Sequence, residues 1–202
     1  YGLAGIRSGM VIANEVISSL VRDKIFQVSD SLSLMQSSAM GAVFSSEENA
    51  AKEKEEYLSS ITKKYYEKYV FVKSIIAGFD KLKKEEKALL NKILKDNKLN
   101  IDIAESMNGI KDVDVVLEPE SGFFVLLDLS KLLGKSYKGF MVIDDKTLLK
   151  FLYTSGNIKV LTGKAFCWPE PSQLIVRVTT ALEYEDLLRD FLRFKLSIES
   201  LT

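Results

Sequence analysis

Apolar side chains recur every three or four positions from Ile17 to Phe79, and after Asn108-Gly109 they fall instead into short runs separated by turns. The stretch 9–13 reads as a short strand. Ile17, Leu20, Val21, Ile25 and Val28 share one helical face and predict a first amphipathic helix. Residues 29–33 interrupt that pattern and cap a second helix through Leu34, Met35, Ala39, Met40 and Phe44. Ser45 and Glu48 fit a capping box, after which Leu58, Ile61, Tyr65, Tyr69, Val72, Ile76 and Phe79 predict one long helix over 47–82. The stretch 81–100 is rich in lysine but carries Leu89, Leu90, Ile93 and Leu94, which predicts a helical surface insertion with a solvated charged face.

In the second half, 113–117, 123–129, 158–161 and 174–179 read as strands, with one helical stretch over 145–153. Thr180 and Glu183 fit a second capping box, opening a final helix with Tyr184, Leu187, Leu188, Phe191 and Leu192 on one face. This part is an α+β layer.

At 202 residues with 47 % hydrophobic content, the chain can bury a real core in one large domain or two small ones. Lysine plus arginine and aspartate plus glutamate number 28 each, so no net field favours nucleic acid or an anionic membrane, and neither is expected as a partner. No apolar run approaches the ~20 residues of a membrane helix. With no histidine, a histidine-dependent serine or cysteine triad is excluded and so is a typical zinc site; no metal is expected. The single cysteine, Cys167, cannot form an internal disulfide and, with no secretory signal in view, suggests the cytoplasm.

Two arginines carry candidate chemistry. Arg7 lies among Gly2, Gly5 and Gly9, where a backbone without Cβ atoms can pass close to a bulky ligand and a planar guanidinium can pair with an anion. Alternatively it is an ordinary surface arginine beside a glycine-rich turn. Arg177 interrupts the apolar run Leu174-Ile175-Val176-Arg177-Val178, where an unpaired buried charge would be costly. From the strand pattern alone it would be paired inside the fold, or on an edge strand with its head in water.

The segment Tyr1-Gly2-Leu3-Ala4-Gly5-Ile6-Arg7-Ser8-Gly9 resembles the K-x-[FY]-G-x-x-G-x-R-x-G pattern of fold-type I pyridoxal-phosphate (PLP) enzymes, the class I/II aminotransferases. Further along, 118–124 is similar to that family's P-x-G-G-[FA]-[FY] segment. Residues 161–167 resemble its P-G-x-x-F-G turn, with Thr162 in place of the proline and Cys167 in place of the last glycine. Arg177 matches the arginine of a [IV]-R-[ILV]-[ST] strand. The resemblance implies an α/β chain forming the C-terminal portion of such an enzyme. Residues 1–80 would end the large PLP-binding domain and supply the interdomain helix. Residues 81–202 would form the small C-terminal α+β domain, with a lysine-rich insertion near 81–108.

Its cofactor would be pyridoxal 5'-phosphate, with Arg7 on the phosphate and Arg177 on the substrate α-carboxylate. Its substrates would be an amino acid and a 2-oxo acid, and it would be a homodimer, with 32–44 as a candidate for part of the contact or else an internal helix. Tyr1 is near the cofactor in this reading but has no catalytic role. No catalytic residue falls within the chain: the pattern puts the Schiff-base lysine upstream of Tyr1, so these residues alone are expected to be inactive. Other PLP reactions fit the same residues, among them C-S lyase, cyclopropane-forming synthase and decarboxylase chemistry. A non-catalytic aminotransferase-like regulatory domain fits them too. Phe123, Phe124 and Cys167 are expected as packed residues rather than site residues.

Overall fold

The helix that the periodicity predicts to be longest turns apolar on nearly every side over its last two turns, Tyr69-Val70-Phe71-Val72-Lys73-Ser74-Ile75-Ile76. A segment of that kind must be buried, whatever the helix propensity of its β-branched residues. In the computed structural model, which describes residues 13–29, 34–44, 48–116, 118–119, 122–170 and 172–202, Val70, Phe71, Val72 and Ile75 are wholly buried. The expected strand at 9–13, the cap at 29–33 and the capping box at 45–48 lie wholly or largely outside these residues, as do Tyr1, Arg7, Gly2, Gly5 and Gly9.

The chain divides into two compact units, Tyr1–Ile61 and Thr62–Thr202. The first contains α1 (Glu15–Ser29), α2 (Leu34–Phe44) and the beginning of α3 (Glu48–Ile76), which runs across the division. Ile17 and Leu20 lie on α1 as expected, yet both are exposed.

The second unit holds the end of α3, α4 (Lys84–Asp96), the one-turn α5 (Ile103–Ser106), α6 (Asp145–Gly156) and α7 (Tyr184–Glu199). Its sheet contains β1 (Asp114–Val115), β2 (Phe124–Asp128), β5 (Leu161–Thr162) and β6 (Ile175–Thr179), in the order β1-β2-β6-β5 and antiparallel throughout. A separate hairpin pairs β3 (Ser136–Tyr137) with β4 (Phe140–Met141) across Lys138 and Gly139, both at positive φ. Its Lys-Gly turn lacks the Asn-Gly or Asp-Gly signal that would have announced it. Val125, Leu127 and Val176 point to one face of the sheet and join a single core cluster with Leu148, Phe151, Leu187 and Phe191 of α6 and α7.

Several boundaries differ from the sequence pattern for visible reasons. The long helix stops at Ile76 rather than near Leu82, because Gly78 turns the chain at φ 96 and the backbone of Asn108-Gly109 approaches within 3.2 Å of where a Cβ would stand. The amide of Ile110 donates to the Ile76 carbonyl (2.8 Å), locking the two backbones together. Gly78→Ala is therefore expected to cost about 1–3 kcal/mol, to be measured by denaturant unfolding. The strand expected at 158–161 begins only at Leu161. Asn157 takes a left-handed C-cap at φ 51, and the Ile158 amide still bonds to Leu152 O (3.1 Å), so Ile158 closes α6 instead of starting a ladder. Thr180 does not cap the last helix. Its amide and hydroxyl both donate to Phe123 O, at 2.8 and 3.2 Å, extending the sheet, and Glu183 takes the N-cap position without a side-chain bond.

The lysine-rich stretch is helical, but it is more than a solvated surface helix. Leu90 and Ile93 of α4 are buried in the core, and so is Glu86, at 2 % exposure.

Candidate functional site

The register of β6 determines where Arg177 goes. Leu126 and Leu161 stand opposite it on the two neighbouring strands, so it projects from the middle of the sheet, on the face opposite Val125, Leu127 and Val176. β6 is not an edge strand. Nor is Arg177 ion-paired: among the described residues no carboxylate lies within 4.0 Å of it. Both expectations from the strand pattern alone are corrected, since the half-buried guanidinium rests instead on aromatic rings. Its central carbon is 4.3 Å from the centroid of Phe124 and 5.8 Å from that of Phe166. Stacking of this kind holds the cation while leaving the in-plane N–H donors free.

Phe124 thus packs beneath Arg177 and is not part of the core. It is 41 % exposed, one strand away and two residues along from Arg177. Phe123 is half-buried against Tyr65, with ring centroids 5.4 Å apart. Phe166 comes from the one-turn 3₁₀ helix Gly163–Phe166 that follows β5. This turn ends at Cys167 in the left-handed region, φ 57, the kind of position glycine occupies without strain. Cys167 is exposed rather than packed. Thr162, where the resembling pattern has proline, is buried and precedes the 3₁₀ turn.

Arg177 lines a cavity of about 530 Å³ together with Glu118, Pro119, Phe124, Leu126, Phe166 and Trp168. It also reaches a second cleft of about 460 Å³ whose walls include Leu161, Val178 and Phe191. Trp168 donates its indole N–H to Gln173 Oε1 (2.8 Å), which commits its only polar atom and leaves the ring as an apolar wall.

Behind the cavity, Glu118 is held by a network that the sequence does not suggest. One of its oxygens accepts from Lys73 Nζ (2.8 Å) and the other from Lys83 Nζ (3.0 Å). Lys73 also donates to Glu86 Oε1 (2.8 Å), and Glu86 Oε2 accepts the amide of Lys83 (2.8 Å) at the start of α4. Burial alone would favour neutral Lys73, but hydrogen bonds to Glu118 and Glu86 outweigh it and raise the ammonium above its ordinary pKa. The hydrogen bonds from Lys73 and then Lys83 hold Glu118 below its own. Burial also pushes the Tyr69 phenol up to about 12, and its hydroxyl has no hydrogen-bond partner among the described residues.

Arg7 lies outside the described residues, so Arg177 is the one expected site residue that can be placed. Among the described residues there is no group of three or more potential ligands that could hold a metal ion, and no helix long and apolar enough to cross a membrane.

The fold has a solved counterpart. The crystal structure of an aspartate aminotransferase from Rhizobium meliloti is similar over 93 % of this chain, with a TM-score of 0.52 and 16 % sequence identity. At that identity the likeness shows the fold alone: a mixed α/β chain arranged like part of an aminotransferase. The match covers 34 % of that protein's chain, so this chain spans about a third of its length. No protein-family model matches the chain, and no curated protein matches it in sequence.

Proposed function

We propose that this chain is part of a PLP-dependent aminotransferase that moves an amino group between an amino acid and a 2-oxo acid, with Arg177 binding the substrate α-carboxylate. The observation that carries the reading is the state of Arg177: a permanent cation on an inner strand, without a carboxylate partner among the described residues and stacked so that its donors stay available. Such an arginine suits an anion that comes and goes better than a structural ion pair. The fold shared with an aminotransferase and the family-like segments at 1–9, 118–124 and 161–167 support the same reading.

In this proposal Arg7 would hold the cofactor phosphate, with Gly2, Gly5 and Gly9 giving the backbone room. Bound PLP supplies the electron sink for chemistry at the substrate α-carbon. Arg177 would grip both carboxylate oxygens and so fix the orientation of the α-carbon bonds. Phe124 and Phe166 keep the guanidinium in place and partly shield it from water, which strengthens its attraction for a carboxylate. The division near residue 80 and a homodimeric assembly belong to the same proposal.

The test separates the two arginines in the intact enzyme. Arg7→Ala is expected to weaken PLP retention in a spectroscopic titration, whereas Arg177→Ala leaves the cofactor bound. Unchanged PLP affinity in Arg7→Ala would remove that residue from the site.

A further inference from the structure

The cavity beside Arg177 is asymmetric in its chemistry. Phe124, Phe166 and Trp168 contribute three aromatic rings, and Pro119 and Leu126 add further apolar surface. Among the described residues that line it, Arg177 is the only cation. The other charged residue described there, Glu118, has an oxygen committed to each of two lysines, so those positive charges are already matched. A ligand with one carboxylate and an aromatic ring would satisfy this arrangement, its anion on Arg177 and its ring against Phe166 and Trp168, whose own rings meet edge to face at 6.4 Å. A second carboxylate in the same space would find no free cation among the described lining residues.

We propose that this cavity is a specificity pocket for aromatic monocarboxylates. The amino-acid substrate of the proposed enzyme would then carry an aromatic side chain. The inference rests on Arg177 being the carboxylate partner, and a volume of about 530 Å³ is ample for a single ring and its linker.

The pocket contains its own reporter, because Trp168 is the only tryptophan in the chain. Titrating the 202-residue chain with 3-phenylpropionate, acetate and succinate while following Trp168 fluorescence gives three affinities for comparison. Binding of 3-phenylpropionate is expected to be roughly tenfold or more tighter than that of acetate, since a buried phenyl ring adds apolar contact that a methyl group lacks. Succinate should gain nothing over acetate. Phe166→Leu is expected to remove most of the advantage of the phenyl ligand and Phe166→Tyr to keep it, with thermal unfolding of each variant reporting its integrity. In the unaltered chain, a nuclear Overhauser contact between the ligand ring and Trp168 should appear at saturation.

Succinate binding as tightly as 3-phenylpropionate, or absence of that contact, would overturn the pocket assignment. If all three acids require Arg177 but the phenyl ring brings no gain, the pocket fails while the carboxylate reading stands. If no acid loses affinity in Arg177→Ala, both fail.

Discussion

If the proposed function holds, Arg177→Ala is expected to lower kcat/KM for an amino-acid substrate by about ten- to more than a hundredfold in the intact enzyme, while leaving bound PLP and the fold in place. The size follows from a charge-assisted hydrogen bond worth ~1.5–3 kcal/mol. Stability should change by only about 1 kcal/mol or less, because the residue makes no internal ion pair among the described residues and loses little beyond its stacking on Phe124. The discriminating control is the decarboxylated amine of the same substrate. Activity toward it should be low in the wild type and insensitive to Arg177→Ala, since there is no carboxylate to grip. Equal wild-type activity toward acid and amine would rule out this role for Arg177.

The second large effect concerns stability. Lys73→Ala is expected to destabilise the Thr62–Thr202 unit by about 3–5 kcal/mol, seen as a lower denaturant midpoint. Lys73 and Glu86 are both nearly enclosed, with side-chain exposures of 11 % and 2 %, so removing the lysine strands a buried carboxylate. Glu86 keeps its bond from the Lys83 amide, which places the cost toward the lower end of that range. The double variant Lys73→Met/Glu86→Gln should recover a large part of it, because the stranded charge goes with the pair. If the single variant costs less than ~1 kcal/mol, the buried pair does not exist in solution.

The same network limits stability at both ends of the pH scale. Lys73 is raised above its ordinary value of 10.5, so its contribution is complete below pH 10.5 and is lost as pH rises through the raised value. Glu118 is lowered below its ordinary 4.5, so its contribution is present above pH 4.5 and is lost as pH falls through the lowered value. Between these limits the contributions of Lys73 and Glu118 should be insensitive to pH.

How much was legible beforehand depended on how local the deciding interaction is. α6 and α7 and the strands β2 and β6 could be read from periodicity, since a helix or strand with one apolar face must bury that face somewhere; the helical spacing of α1 was legible too, although Ile17 and Leu20 on it are exposed. Where one element gives way to the next was less visible, because Gly78 meets Asn108-Gly109 and Thr180 meets Phe123 across long stretches of chain. The role of Phe124 was misread for a similar reason. An aromatic residue in an apolar run looks like core, and only the strand register shows that it alternates with Val125 onto the open face beneath Arg177.

By itself the sequence determined that helices precede a small sheet, that none of these 202 residues is a histidine, and that an ionised arginine interrupts an apolar strand. Composition and period carry that information without reference to contacts. What Arg177 does there was a tertiary decision. Whether a charge is spent on a neighbour or kept for a ligand depends on which carboxylates the fold brings within reach. Glu118 is drawn to Lys73 and Lys83, 45 and 35 positions away in the chain, while Arg177 is set on aromatic rings. Electrostatic pairing falls off over a few ångströms, so it follows the packed chain rather than the order of residues along it.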